Sequence, residues 1–422
     1  MSAESGTALP NRWFIVIAAI FMQLCLGAVY GWSVFILPFM NEYDWTRTQV
    51  TLAFTLAIFF LGVGTIIGGL LQDRVGPRLV ASIAGVLYGA AYLLTGTAST
   101  LWELYLWYGF LGGIGMGMGY ITPVATLLKW FPDRRGLITG LAVAGYGAGA
   151  LVMSPIAAIT IKEWGIPVTF YGLGVVYLIV VVAAAQWYVV PPAGYKPPGW
   201  EPSEKQMASR STRDYSTGGA MQTWQFWTLF TILFLNVSAG IMIISQASPM
   251  GQEIVGMSAA TAAALVVGVI SVFNGGGRIF WAWLSDMFGR RQVFMSMFLI
   301  QAVLFFLLPN LTAAILFVPA IAIIALCYGG GFGTMPSFVA DYFGTKSVGG
   351  IYGIILLAWG IAAIPSPLMI SRIREATGTY SLAIYVIAGV MLVSAVLPFI
   401  VRPPKPQPAQ AQDEPSEALP VD

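Results

Sequence analysis

Runs of 18 or more apolar residues recur along almost the whole of this 422-residue chain, separated by short charged turns. A run of that length is what a helix needs to cross about 30 Å of hydrocarbon. Inside such a layer a segment must satisfy its own backbone donors and acceptors, which leaves helices and closed barrels as spanning structures. Runs this long belong to helices, and they fall at residues 13–38, 49–72, 78–97, 101–128, 135–159, 166–190, 223–248, 258–284, 291–308, 311–338, 347–370 and 380–401. Composition agrees: 58% of residues are hydrophobic and 9% charged, against about 25% charged in soluble proteins. The expected fold class is an all-α membrane protein of twelve spans, referred to below as spans one to twelve.

Residues 191–222 contain PPAGYKPPGWEPSEKQ and SRSTRDYSTGG, the proline, glycine and mixed charge of a linker. The chain therefore divides into a six-helix unit at 1–190, a cytoplasmic linker at 191–222, a second six-helix unit at 223–402 and a proline-rich, acidic tail at 403–422, expected to be disordered. The polar start, MSAESGTALPNRW, lacks the basic region and cleavage site of a signal peptide, so span one is expected to stay. Pro38 and Pro249 are expected to end spans one and seven, where a missing backbone donor does least harm.

Charge sets the orientation. With both termini in the cytoplasm, the loops on that side carry Arg12, Arg74, Arg78, Lys129, Arg134, Arg135, Lys196, Lys205, Arg210, Arg213, Arg290, Arg291, Lys346, Arg402 and Lys405, and the other side only Arg47, Lys162, Arg372 and Arg374. That is the asymmetry of a plasma (inner) membrane protein. Charges confined to turns give no reason to expect nucleic acid. The chain has no histidine, and its two cysteines, Cys25 and Cys327, lie within apolar runs and read as buried apolar residues. No metal site or cofactor is expected, and the chain reads as a monomer in the bilayer.

One offset relates the halves. Asp73, Gly76 and Arg78 in GGLLQDRVGPR recur 213 positions later as Asp286, Gly289 and Arg291 in AWLSDMFGRR. The same shift takes Pro123 to Pro336, Tyr146 to Trp359 and Gly147 to Gly360. Agreement at separate places marks the halves as structural copies that can rock about a shared cavity. An aspartate at a helix end can accept from the amides of a neighbouring helix N-terminus and pair with arginines. Asp73, Arg78, Asp286 and Arg291 are thus the expected conformational latch. The doubled turn, with six spans on either side, resembles the signature of the major facilitator superfamily, which implies two pseudo-symmetric six-helix bundles and transport by alternating access.

Candidate cavity helices are rich in glycine: GGIGMGMGYITP at 112–123, NGGGR at 274–278 and CYGGGFGTMP at 327–336. These glycines read as packing positions, not as ligands. Arg278 is the only positive charge inside a span. Placing it there costs about 2.5–3.5 kcal/mol, and Arg290 and Arg291 already offer surface charge nearby, so Arg278 is expected to hold an anion and not to snorkel. Asn274 lies one turn before it on the same face. Tyr120 and Tyr328 are placed at similar depth as donors to a carboxylate. Tyr30 and Gln246 are placed nearer the outer end, and Tyr146 and Trp359 as cavity wall. One cation without a nearby acid suits one carboxylate, held by the planar guanidinium.

PNRWF at 10–14, TWQFW at 223–227 and FNGGGR at 273–278 resemble the oxalate/formate antiporter and monocarboxylate transporter branch of that superfamily. Where bacterial oxalate exchangers carry a span-eleven lysine, this chain has Trp359, which implies a monocarboxylate such as lactate or pyruvate in place of oxalate. Where animal monocarboxylate transporters carry a proton-accepting aspartate, this chain has Asn274. Glu103, the one acid within a span, is placed at its outer edge, so a proton would travel with the substrate. The expected activity is proton–monocarboxylate symport, with anion exchange as the alternative. No metal cluster, carboxylate cluster or activated nucleophile falls within the spans, and neither linker nor tail is long enough for a soluble domain, so an enzyme or a sensor is not expected.

Overall fold

The structure is a computed structural model describing residues 11–192, 194–201, 214–258 and 261–404. Among these residues all regular structure is helical. Ten helices are long and apolar enough to cross a membrane. One of them, Arg135–Ala185, is really two spans: Gly165 takes φ 80° and ψ 175°, which breaks the helix between spans five and six. Gly268–Phe288 is span eight and carries Arg278. With it the expected twelve are present.

The remaining spans run Arg47–Val75 (two), Pro77–Thr95 (three), Trp224–Val255 (seven), Arg290–Leu307 (nine) and Ala314–Phe343 (ten). Span four enters at Leu101–Leu104, passes a widened turn at Tyr105–Gly112 and continues as Gly113–Trp130. Span one is broken: Arg12–Leu26 tightens through Gly27–Gly31 before Ser33–Tyr43. Span eleven, Val348–Ala362, stops before Pro365, which opens a separate helix, Pro365–Thr377. Span twelve is Ser381–Ser394 followed by Val396–Ile400. Local chemistry explains several starts. Thr46 and Gln49 form a capping box ahead of span two, and Thr223 caps span seven. Glu103 belongs to the capping box of span four; its carboxylate accepts from the Ser99 and Thr100 amides at 2.8 and 2.9 Å, at the edge of the span.

Two expectations are corrected. Pro38 and Pro249 do not end spans one and seven; both lie inside helices, Ser33–Tyr43 and Trp224–Val255. A proline removes one ladder bond, and neighbouring packed helices can hold the chain on course past it. Of the linker, residues 191–192, 194–201 and 214–222 are described: Asp214 accepts from the Thr345 amide at 2.9 Å, and Thr217–Met221 forms a short helix. Residues 202–213 and the tail from 405, including its expected disorder, lie outside the described residues.

The halves meet along two seams, span two against eleven and span five against eight. Glycine makes both close. A Cβ at Gly353 would strike the Thr65 carbonyl, and one at Gly140 would strike the Arg278 carbonyl. These two contacts are related by the 213-residue offset, which carries Thr65 onto Arg278 and Gly140 onto Gly353. The arginine therefore stands where its symmetry mate has a threonine, and the mate's hydroxyl ties down the other seam by donating to the Gly353 carbonyl at 2.9 Å.

Span eight also presses on span ten, where a Cβ at Gly277 would run into the Leu326 carbonyl, while Gly276 has open space around it. Overpacking of this kind costs about 1–3 kcal/mol or more. Gly277→Val is thus expected to lower the thermal unfolding midpoint of the detergent-purified protein, and Gly276→Ala to leave it within experimental scatter. A midpoint unmoved by Gly277→Val would contradict the packing.

Candidate functional site

Arg278 is 0% exposed, so it does not snorkel. Its Nε points to Asn274 Oδ1 at 3.5 Å, and its Nη1 donates to the Val143 carbonyl of span five at 3.1 Å. The guanidinium sits over the Phe332 ring at 4.9 Å and near the Tyr146 ring at 5.7 Å. Among the described residues no carboxylate pairs with it, and its Nη2 is buried without a partner. Around it closes a shell of rings: Tyr146 packs on Tyr30 at 5.3 Å, on Tyr120 at 5.1 Å and on Trp359 at 6.0 Å. Phe332 packs on Trp359 at 4.7 Å and on Tyr328 at 5.3 Å. The phenols of Tyr30, Tyr120, Tyr328 and Tyr146 lie close enough to act on the cation electrostatically. The hydroxyls of Tyr30, Tyr120 and Tyr352 are nonetheless buried without a hydrogen-bond partner. A buried polar group left unpaired costs about 1–3 kcal/mol. Three unpaired phenols and an unpaired guanidinium nitrogen gathered in an apolar shell make a set of donors that an anion can satisfy together.

Buried amides hold this shell in register. Gln23 of span one donates to the Tyr120 carbonyl at 3.1 Å, and Asn236 of span seven donates to the Tyr328 carbonyl at 3.3 Å. Gln301 supports Asn236 from span nine, donating to its Oδ1 at 3.0 Å. Gln23 and Asn236 are themselves related by the 213-residue offset, so each half steadies one site tyrosine from its first helix.

At the end of the bundle that carries Arg12 and Arg402, the two aspartates reach across to the opposite half. Asp286 accepts from the Gly136 and Leu137 amides at 3.0 and 2.9 Å, donors in the first turn of span five that have no partner within the helix. Asp73 accepts from the Gly350 amide at 2.8 Å, at the start of span eleven. Leu137 and Gly350 are again 213 positions apart. Ion pairs thicken the first contact: Arg290 bridges Asp286 at 2.7 Å and Asp341 at 3.0 Å, and Arg135 crosses the seam to Asp341 at 2.8 Å. Lys129 supports Asp73 at 3.4 Å. Each carboxylate satisfies helix donors that would otherwise be orphaned, and meets the positive end of the helix dipole.

The sequence model described as Major Facilitator Superfamily matches residues 19–367 and, in a second match, 277–421. The chain belongs to the major facilitator superfamily. Within it, the oxalate:formate antiporter of Oxalobacter formigenes is 31% identical over 368 residues, 86% of this chain and 85% of that one. Monocarboxylate transporter 12 of Homo sapiens is 23% identical over 418 residues, 91% of this chain and 79% of that one. The facilitator transporter FucP, solved in an outward conformation, superposes with a TM-score of 0.71 at 15% identity, covering 92% of this chain and 97% of that one. The chain is therefore a membrane transporter of the oxalate/formate and monocarboxylate branch, with the superfamily's twelve-helix fold.

In this facilitator the structure gathers Arg278, Asn274, Tyr30, Tyr120, Tyr328 and Trp359 into one shell. Tyr30 joins it from the tightened turn at Gly27–Gly31, packing on Tyr146 at 5.3 Å and Trp359 at 6.3 Å. Gln246 stays away; its Oε1 accepts from Tyr380 at 3.3 Å, outside the shell. Two expected latch residues are corrected. Arg78 is exposed and has no side-chain partner among the described hydrogen bonds and ion pairs. Arg291 turns to the Pro398 carbonyl at 2.8 Å and to that of Phe399, at the end of span twelve. The cations that face Asp286 and Asp73 are Arg290 and Lys129, with Arg135 joined through Asp341. The sequence reading also missed Phe332, Tyr352 and the Val143 carbonyl. A signal existed for Tyr352, which lies seven residues, two helical turns, before Trp359.

Proposed function

We propose that this transporter carries small monocarboxylates of the lactate or pyruvate kind by alternating access. Residues 1–190 and 223–402 are the two rocking bundles, both termini are cytoplasmic, and a single chain in the bacterial inner membrane is the working unit. The observation that carries the reading is the unpaired Nη2 of a fully buried Arg278, with no acid beside it and unpaired phenols around it. One carboxylate supplies the missing charge and accepts from the guanidinium and the phenols. A second carboxylate would find no second cation, and the rings of Trp359, Phe332 and Tyr146 suit a short apolar tail. The cytoplasmic latch of Asp73 and Asp286 holds one orientation, and its release allows the other.

The coupling we propose is proton symport, with one proton moving in the same direction as each bound anion. The Val143 carbonyl, the Asn274 amide oxygen and two ring faces together meet part of the Arg278 charge. That supports a return step without a counter-anion. A second reading, anion exchange, draws on the same arginine: with no titratable carboxylate to neutralise it, a return with bound anion costs less than one without. The name of the Oxalobacter relative, an antiporter, is consistent with it. Proteoliposomes separate the two. Acidifying the outside is expected to accelerate uptake of labelled lactate several-fold into vesicles holding no acid. No response to the pH gradient, together with acceleration by preloaded unlabelled acid, would defeat symport in favour of exchange.

A further inference from the structure

Arg12 and Asp214 each stand on the segment that leads into the first span of a half. Arg12 opens span one, and Asp214 comes two residues before Ser216, which caps the short helix ahead of span seven. Arg12 grips the turn between spans four and five. Its guanidinium forks onto the Asp133 carboxylate at 2.7 and 3.0 Å, donates to the Trp130 carbonyl at 3.3 Å and lies over the Phe131 ring at 4.3 Å. Asp214 grips the turn between spans ten and eleven. Its Oδ1 accepts from the Thr345 and Lys346 amides at 2.9 and 3.3 Å, and the amide of the next residue, Tyr215, donates to the Phe343 carbonyl at 2.9 Å. Gly344 completes this turn at φ 79°, and a Cβ there would strike the Asp214 carboxylate.

Both grips end at the same distance from an inter-half contact. Asp133 lies four residues before Leu137, whose amide Asp286 holds, and Lys346 lies four residues before Gly350, whose amide Asp73 holds. Asp133 and Lys346 are 213 positions apart, but the residues that grip the two turns are not. The offset carries Arg12 to Gln225, and the chemistry is reversed: a cation on a carboxylate in one half, a carboxylate on amides in the other. A feature inherited with the repeat would keep its residues, whereas one rebuilt from unrelated residues in both copies answers a shared demand. We infer that Arg12 and Asp214 are positioning residues for the latch: each fixes, within its own half, the helix start that an aspartate of the opposite half must meet whenever that end of the carrier closes. This rests on the latch reading above and extends it from the two aspartates to their receivers. An amide donor that is misaimed loses its hydrogen bond steeply with angle, and a charge-assisted fork such as Arg12 on Asp133 holds a turn in one geometry.

The test follows opening of that end without any substrate. Ser337 is 0% exposed, and its hydroxyl lies 3.3 Å from that of Thr139 in the opposite half. It stands on span ten between Phe332 of the ring shell and Asp341 of the ion-pair cluster. A cysteine placed there, Ser337→Cys, is expected to react slowly with N-ethylmaleimide in the purified full chain, measured above the background of Cys25 and Cys327. Adding Asp286→Ala is expected to speed the reaction about tenfold or more, and adding Arg12→Ala about fivefold. Arg12→Ala on top of Asp286→Ala is expected to add less than about twofold, because the receiver then has no aspartate to meet. Arg12→Asp combined with Asp133→Arg is expected to return the rate to within about twofold of the starting value. A merely structural role would give neither pattern. An unchanged rate with Arg12→Ala, full multiplication of its effect by that of Asp286→Ala, or no recovery in the swapped pair would overturn the inference and leave the latch standing. An unchanged rate with Asp286→Ala would instead overturn the latch, and this inference with it. Should Arg12→Ala misfold, Asp214→Ala set against Asp73→Ala is the same test in the other half: a faster rate that does not multiply is expected, and an unchanged or fully multiplied rate would overturn the inference.

Discussion

Arg278→Lys is expected to lose roughly 10–100-fold of lactate uptake while the purified protein keeps its helical content. The ammonium retains the charge, so a purely electrostatic role would survive the change. It cannot keep the fork. Nε faces Asn274, Nη1 holds the Val143 carbonyl, and Nη2 is the nitrogen left for the substrate. A lysine has to give up either the carbonyl or the anion, and its compact, strongly hydrated head fits the ring faces of Phe332 and Tyr146 less well. The carboxylate then loses part of a charge-assisted contact worth about 1.5–3 kcal/mol. Reconstituted uptake measures the result. Activity within twofold of wild type would make Arg278 a structural residue of the span-eight seam.

Asp286→Ala is the second large effect. It removes the acceptor for two helix amides, Gly136 and Leu137, and uncouples Arg290 from its 2.7 Å partner. Each lost contact is charge-assisted, so the latched orientation weakens by a few kcal/mol. A shift of that size redistributes the orientations by orders of magnitude, and a carrier trapped on one side turns over slowly. Maximal uptake is expected to fall about tenfold or more, with lactate KM changed far less. Asp286 lies eight residues beyond Arg278, about 12 Å along the helix, and touches none of the ring shell. Asp73→Ala should act in the same sense but less, having one amide at 2.8 Å and a longer ion pair at 3.4 Å. Arg78→Ala, at an exposed position, is expected to leave uptake within about twofold. Equal losses for Arg78→Ala and Asp286→Ala would mean that the turn acts through its overall charge and not through the amide caps.

Much of this was legible in the residues because lipid is an unforgiving solvent. The spans announce themselves by length, and a lone arginine among them by its cost. The shift of 213 positions located both aspartates that accept from amides of the opposite half. What it could not tell is which neighbouring cation turns toward them. Arg290 and Arg291 are adjacent in sequence, yet helix phase sends the first to Asp341 and the second to the end of span twelve. Hydropathy gave no sign of the tightened turn at Gly27–Gly31 that carries Tyr30 in span one. Phe332 looks like any packing aromatic, and the Val143 carbonyl has no side-chain signature at all. The break of symmetry at Thr65 and Arg278 was present in the same repeat, and it became informative only once both carbonyls were seen against their glycines.

The most direct measurement is calorimetric titration of purified protein with L-lactate, for wild type and Arg278→Gln. Glutamine keeps a donor where Nε faces Asn274 and removes the charge. Wild type is predicted to give saturable binding at one site per chain, weaker for oxalate than for lactate, and the variant to give no measurable saturation with its unfolding midpoint preserved. Undiminished lactate binding by the variant, or tighter binding of oxalate by wild type, would contradict a single buried guanidinium as the receptor for one carboxylate.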